Sequence, residues 1–274
     1  MNKPIGVIDS GVGGLTVVHE LMRQLPKEKL IYLGDTLRCP YGPRPEHEVV
    51  QFTWDMVEFL LEKDVKMIVV ACNTATAYTL KELQDHLSIP VVGVIQPGAR
   101  AAIKNTKNNH VGIIGTEGTI RSNAYIEALQ YIKSDLDINA LACPLFVPMV
   151  EQGILSGLQA EEIVKESLQP LMRYKDDMDS LILGCTHYPL IREVIQKVLG
   201  PQVTLISSSE ETARETSAIL EFHQLLNTGN EQTNHQFYTT GELEIFTEIT
   251  KSIFNSSIDN LQAVTIEKAV IARN

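Results

Sequence analysis

Short apolar runs alternate along this chain with longer stretches whose apolar residues recur every three or four positions. Runs at 5–8, 30–33, 67–70 and 91–94 predict buried strands, and the segments 15–25, 47–61 and 75–86 between them predict helices. In the second helix Val57, Leu60 and Leu61 keep the apolar spacing, and Asp64 stands where a fourth apolar residue would fall. A second series follows, with strands at 111–114, 138–142, 181–183 and 203–206 and helices at 123–132, 160–174 and 190–199. Strand and helix in regular alternation predict an α/β fold with mainly parallel sheets covered by helices on both faces.

The two series are related. Ile5-Gly6-Val7-Ile8-Asp9-Ser10-Gly11 resembles Val111-Gly112-Ile113-Ile114-Gly115-Thr116-Glu117, and Arg38-Cys39-Pro40-Tyr41 resembles Ala142-Cys143-Pro144-Leu145. The segment around Cys72 resembles that around Cys185. The three pairs keep their order at offsets of about 110 residues, as an internal duplication would. The expectation is two similar doubly wound domains, pseudo-symmetric about a central cleft: residues 1–97 with 208–274, and residues 98–207. From about Ser208 the chain has no repeat partner. A helix at 212–222 and strands near 237–239 and 263–266 are expected to return and complete the first half.

Composition narrows the class. The 274 residues are 44% apolar and 21% charged, as in an ordinary globular protein. A net charge of −11 disfavours a nucleic-acid or anionic-membrane surface, which needs clustered Lys and Arg. No signal-peptide pattern opens the sequence, and no apolar stretch approaches the roughly 20 residues that span a bilayer. The chain therefore reads as cytoplasmic, with a small molecule as its partner; a homodimer is left open. The four cysteines, Cys39, Cys72, Cys143 and Cys185, form no CxxC pair, which disfavours a disulfide framework or zinc ribbon.

Candidate chemistry gathers where apolar runs end. Cys72 follows 67–70 and precedes Asn73-Thr74, and Cys185 follows 181–183 and precedes Thr186-His187. The carboxyl ends of parallel strands are where open α/β sheets bind ligands. A helix N-terminus beside a thiol lowers its pKa from about 8.5 toward neutrality. A thiol on each side of one cleft suits a reaction that handles one atom from both faces. Other readings stand beside this one: a zinc site of Cys72, Cys185 and His187, short of a fourth ligand; a thiol redox pair; and a Cys-His hydrolase with His187 as base. Cys39 and Cys143 precede proline and read as small buried hydrophobes.

Gly11-Val12-Gly13-Gly14 lacks the GxGxxG spacing of a dinucleotide fingerprint, although Asp35 falls near the expected acidic position. The preferred reading is that these glycines bring backbone N–H groups to a carboxylate. Asp9 and Ser10 end the first strand, where Asp commonly caps a turn. Tyr41-Gly42, in a Pro-rich loop, is placed to present backbone and phenol to a ligand.

The segments GVIDSGVGGLTV (6–17), LGDTLRCPYGPR (33–44), ACNTATA (71–77), GVIQPGARAA (93–102), GTEGTIRS (115–122), CPLFVPMVEQG (143–153) and LGCTHYPLI (183–191) resemble those of the bacterial glutamate racemase family. These are members of the aspartate/glutamate racemase superfamily that use no cofactor. The resemblance implies interconversion of L- and D-glutamate, which supplies D-glutamate for peptidoglycan, cell wall biogenesis and cell shape. It implies Cys72 and Cys185 as the two acid/base residues, Asp9 assisting the first and His187 the second. It also implies Asp9, Ser10, Tyr41, Gly42, Asn73, Thr74, Thr186 and His187 as substrate-binding, with Thr116, Thr119 and Glu151 as further pocket residues. Aspartate racemase is the alternative within the superfamily. Outside it stand a non-catalytic amino-acid-binding protein and a nucleotide-dependent oxidoreductase.

Overall fold

In the computed structural model the described residues are 2–229, 233–254, 258 and 260–268. The chain begins β1 (Ile5–Asp9), α1 (Leu15–Gln24), β2 (Leu30–Gly34), α2 (Glu46–Leu61), β3 (Met67–Val70), α3 (Asn73–His86) and β4 (Val91–Gly93). It continues with α4 (Ile95–Asn105), β5 (His110–Gly115), α5 (Glu117–Arg121), α6 (Ala124–Ile132), β6 (Asp137–Ala142) and α7 (Phe146–Glu151). Next come α8 (Gly157–Leu168), β7 (Ser180–Gly184), α9 (Arg192–Leu199) and β8 (Thr204–Ile206). It closes with α10 (Ser209–Phe222), β9 (Gln236–Thr239), α11 (Leu243–Phe254) and β10 (Leu261–Ala263).

These strands make two parallel sheets. The larger has the order β10-β9-β2-β1-β3-β4 and the smaller β6-β5-β7-β8. The run β2-β1-β3-β4 therefore matches β6-β5-β7-β8 strand for strand. In each sheet the chain leaves the central strand, adds a neighbour on one side, then crosses to the other. That reversal opens a crevice at the carboxyl ends of β1 and β3 and again at those of β5 and β7. Cys72 lies just past β3 and Cys185 just past β7, so the paired cysteines occupy equivalent places.

Both faces of each sheet are covered, as the continuous apolar runs require. Ile5, Val7, Met67 and Val69 pack under α1, α10 and α11, while Ile8, Ile68 and Val70 pack under α2 and α3 on the other face. In the smaller sheet Ile113 and Ile182 meet α4 and α6, and Leu181 and Leu183 meet the layer of α7, α8 and α9. Each fully buried aliphatic side chain contributes about 1.5–3 kcal/mol. The last segment returns as expected: β9 pairs with β2, joining Ile31 to Gln236, and β10 pairs with β9. At the amino-terminal edge Lys66 and Glu28, both buried, form an ion pair at 2.6 Å. Glu28 accepts from the Asn227 N–H at 2.7 Å, and Lys66 donates to the Leu225 carbonyl at 2.6 Å, which fastens the returning segment.

Several boundaries differ from the apolar pattern. The helix expected over 160–174 ends at Leu168 and tightens into a 3-10 turn over Gln169–Tyr174, where Pro170 lacks the N–H to continue an α-helix. Pro189 likewise turns 188–191 into a 3-10 segment ahead of α9. The last strand lies at Leu261–Ala263, earlier than 263–266. Among the described residues, no helix is long and apolar enough to cross a membrane.

Candidate active site

The carboxyl ends of the two sheets face each other and are joined by side chains from both. Thr186 donates its hydroxyl hydrogen to Asp9 Oδ1 at 3.1 Å, and the Thr74 and Thr116 hydroxyls lie 2.8 Å apart. The Gly118 N–H donates to the Gly42 carbonyl at 2.8 Å. A Cβ on Gly13 would lie 2.6 Å from Thr186 Oγ1 and 2.7 Å from the His187 backbone nitrogen, so only glycine permits this approach.

On the β3 side, Cys72 is the N-cap of α3. Its Sγ accepts from the Ala75 N–H at 3.4 Å and its S–H donates to Ser10 Oγ at 3.6 Å. The helix N-terminus predicted a lowered pKa, and the structure reverses that expectation. Burial, reinforced by the Asp9 charge, pushes the Cys72 thiol up to about 12, outweighing the Ala75 N–H and Ser10.

Asp9, fully buried, accepts at Oδ2 from the N–H groups of Gly11 (3.0 Å) and Gly14 (2.9 Å). The glycine turn thus brings its N–H groups to a carboxylate, as read from the sequence, but that carboxylate is the chain's own Asp9. Burial raises the Asp9 pKa, opposed by the His187 charge and by these hydrogen bonds. Asp35, near the position where a dinucleotide site would place its acidic residue, is buried and committed elsewhere. It accepts from Tyr41 and Arg38, both at 2.5 Å, and from Thr240 at 2.8 Å.

On the β7 side the support differs. Cys185 precedes a turn and the short 3-10 segment rather than an α-helix, so the helix-terminus argument does not transfer to it. Its neighbour is His187, with Nδ1 3.8 Å from Sγ. The other ring nitrogen, Nε2, lies 2.5 Å from Glu151 Oε1 at the end of α7. Burial disfavours a charged His187, but hydrogen bonds with Cys185, Cys39 and Glu151 prevail and raise its pKa well above the ordinary value. Burial would raise Glu151, and the His187 hydrogen bond and charge more than offset this, so its pKa is lowered. The pair is an imidazolium–carboxylate ion pair.

Cys39 completes this group, its S–H donating to Glu151 at 3.7 Å. The donor atoms of Cys39, Glu151 and His187 lie within 4.8 Å of one another. Among the described residues this is the one set close enough to hold a metal ion, and it differs from the Cys72, Cys185 and His187 set weighed on the sequence. Its members already hydrogen-bond to each other through Glu151.

The remaining predicted residues line the same region. Thr74, Thr116 and Thr119 form a hydroxyl cluster with separations of 2.8–3.1 Å. Asn73 Oδ1 accepts from the Tyr125 hydroxyl at 2.7 Å. Tyr41 departs from expectation: its phenol is buried and bonded to Asp35, leaving backbone rather than hydroxyl for a ligand. Reasoning from sequence missed Cys39, whose isolated position before proline carried no signal. It also missed Tyr32, which pins the glycine turn by donating to the Gly11 carbonyl at 2.6 Å. Chemically, the cleft offers two thiols on opposite sheets, each with a different polar support, amid amide and hydroxyl donors suited to a carboxylate.

Comparison with known proteins agrees over the whole chain. The family described as Asp/Glu/hydantoin racemase matches residues 5–216. A glutamate racemase of Oceanobacillus iheyensis is 66% identical over 274 residues, 100% of this chain and 99% of that protein. One from Bacillus cereus is 56% identical over 268 residues, 98% of this chain and 99% of that one. A solved glutamate racemase isoform from Bacillus anthracis has a TM-score of 0.91 at 50% identity, covering 96% of this chain and 97% of that one. The Francisella tularensis glutamate racemase solved with D-glutamate has a TM-score of 0.88 at 37% identity, covering 96% and 98%. With a match that takes in both sheets and both cysteine-bearing strand ends, the chain belongs to the Asp/Glu/hydantoin racemase family.

Proposed function

We propose that this chain is a glutamate racemase of the cytoplasm that interconverts L- and D-glutamate by a two-base, two-cysteine mechanism without a cofactor, supplying D-glutamate for peptidoglycan. The observation that carries the proposal is the equivalent placement of Cys72 and Cys185 at the ends of β3 and β7, facing one cleft from two sheets. The glutamate racemase names of relatives up to 66% identical support the choice of substrate.

Inversion needs the α-proton removed from one face and another delivered to the opposite face. A thiolate on one side takes the proton, the C–H electron pair passes to the α-carbon and its carboxylate, and the thiol opposite protonates the carbon. The thiolate and thiol have then exchanged sides. In the direction from D to L, Cys72 is the base and Cys185 the acid; from L to D the roles reverse. Asp9 stands by the first thiol and His187 by the second. The carbanion has no cofactor as electron sink, so its charge is met by donors preorganised around the substrate carboxylate. The backbone N–H groups after Asn73 and Thr186, with the neighbouring hydroxyls, are our candidates. Burial and the Asp9 charge hold the Cys72 thiol high, and the positive α-ammonium of the substrate acts in the opposite sense, favouring its thiolate.

We also take residues 1–97 with 208–274 as one domain and 98–207 as the other. Strands β1–β4, β9 and β10 sharing one sheet, and β5–β8 the other, support this division.

The test is proton exchange. In deuterated water, without added cofactor and after dialysis against a chelator, each enantiomer of glutamate should yield its antipode carrying one solvent deuterium at the α-carbon. Aspartate should be turned over far more slowly. No exchange, or activity restored only by zinc or pyridoxal phosphate, would overturn the proposal.

A further inference from the structure

Asn73 opens α3 with its side-chain amide put to two uses. Oδ1 accepts from the Tyr125 hydroxyl at 2.7 Å, while Nδ2 is buried without a hydrogen-bond partner. The residue is 3% exposed, so water does not satisfy that nitrogen freely. Buried amide donors are normally paired, and a bare one beside a cleft points to a ligand acceptor. The neighbours of Asn73 in sequence are Cys72 and Thr74, both part of the cleft.

We propose that Tyr125 is a positioning residue: by donating to Asn73 Oδ1 it holds the amide with its NH2 group turned to the substrate carboxylate. This rests on the glutamate racemase reading. The sense of the amide decides whether it attracts or repels an anion. With Oδ1 held by the phenol, Nδ2 is the atom left to donate; flipped, the amide would offer a carbonyl oxygen to a carboxylate. A tyrosine O–H supplies the single proton that sets this choice, which phenylalanine lacks.

The phenol is itself held in place. Tyr125 is on α6, against the smaller sheet, whereas Asn73 is on α3, against the larger, so the bond bridges the two layers. Two glycines admit the ring: a Cβ on Gly98 would lie 3.0 Å from its hydroxyl, and one on Gly184 would lie 3.1 Å from Cε2. Ser208, just ahead of α10, packs at the same place, its Cβ 3.2 Å from where a Cβ on Gly98 would lie.

The experiment is a double-mutant cycle of Tyr125→Phe and Asn73→Ala, read as KM and kcat for both glutamate enantiomers. Losing one well-placed donor corresponds to roughly tenfold in binding. Tyr125→Phe should therefore raise KM about tenfold in both directions with little loss of kcat, and less than about twofold when added to Asn73→Ala. Gly98→Ala, whose Cβ crowds the phenol, should reproduce the effect and serves if the phenylalanine variant folds poorly. Additive effects in the double variant, or a fall in kcat at unchanged KM, would overturn the role of Tyr125. A wild-type protein that does not turn over glutamate would instead sink the functional reading, and this inference with it.

Discussion

Thr186 donates to the Asp9 carboxylate at 3.1 Å across 177 residues of sequence, tying the end of β7 to the end of β1. The bond joins the surroundings of the two thiols. Asp9 raises the pKa of Cys72, and His187, next to Thr186, partners Cys185 while opposing the rise at Asp9. A change of charge on one side is therefore felt on the other.

Stereochemistry separates the two thiols. Cys72→Ser and Cys185→Ser should each lose nearly all racemisation, because a serine hydroxyl is a far weaker acid than a thiol. With a glutamate analogue bearing a leaving group at the β-carbon, abstraction alone suffices for elimination. Cys72→Ser should still eliminate from the L-analogue and Cys185→Ser from the D-analogue. Equal loss from both analogues in each variant would refute one thiol per face.

The raised Cys72 thiol is directly measurable. Peptide-resolved alkylation against pH should show its thiolate appearing with a midpoint near 12, far above an ordinary thiol. Asp9→Asn removes a negative charge and should shift that midpoint down. A midpoint near 8.5 in the wild-type protein would show that burial does not control this thiol.

The His187–Glu151 pair makes stability depend on pH with a definite sign. His187 has a raised folded pKa, so its contribution is complete below its unfolded value near 6.5 and is lost as pH rises through the folded value. Glu151 has a lowered one, so its contribution is complete above about 4.5 and is lost as pH falls through the folded value. Glu151→Gln should cost about 2 kcal/mol between those limits and progressively less outside them. Denaturant unfolding at a series of pH values measures the difference, and a cost independent of pH would contradict it.

Gly42 tests how closely the two halves must approach. A Cβ there would lie 2.4 Å from the Thr116 Cβ, where Gly42 and Gly118 share a hydrogen bond. Gly42→Ala should wedge this contact open and raise KM for both enantiomers by about tenfold, on the scale of misplaced binding groups. An unchanged KM would mean the contact is slack.

The ion pair of Lys66 and Glu28 lies at the other end of the larger sheet, away from the chemistry. Lys66→Met strands a buried carboxylate and should cost about 3–5 kcal/mol in urea unfolding, whereas adding Glu28→Leu should recover most of it. A double variant no more stable than the single one would mean that the two charges are not energetically linked.

The strand ends were legible because a parallel strand buried on both faces needs an unbroken apolar run, and 67–70 and 181–183 supply one. The duplication was legible for the same reason, since β1 and β5 share a central position and a similar sequence. Helix α4 was not assigned: it carries Pro97 and Gly98 near its start, where proline is tolerated and Gly98 makes room for Tyr125. Helix α11 lies in the segment without a repeat partner and went unassigned. The acidity of Cys72 was misread because the helix N-terminus is visible in sequence, whereas burial beside Asp9 comes only from tertiary packing. Cys39 reaches Glu151 through contacts 112 residues apart, which no local pattern encodes.

The pairing of β9 with β2 also bears on how the protein is made. During synthesis the strands of the smaller sheet emerge consecutively, the last of them ending at Ile206, while Ile31 waits for Gln236 before its side of the larger sheet is covered. Loop closure over such a distance is slow compared with local pairing. Until then β2 is an open apolar edge, the kind of surface that recruits chaperones or other nascent chains. Truncation between Ile206 and Gln236 would leave the smaller sheet with all its strands and both cysteines present, but the larger one with that edge permanently bare.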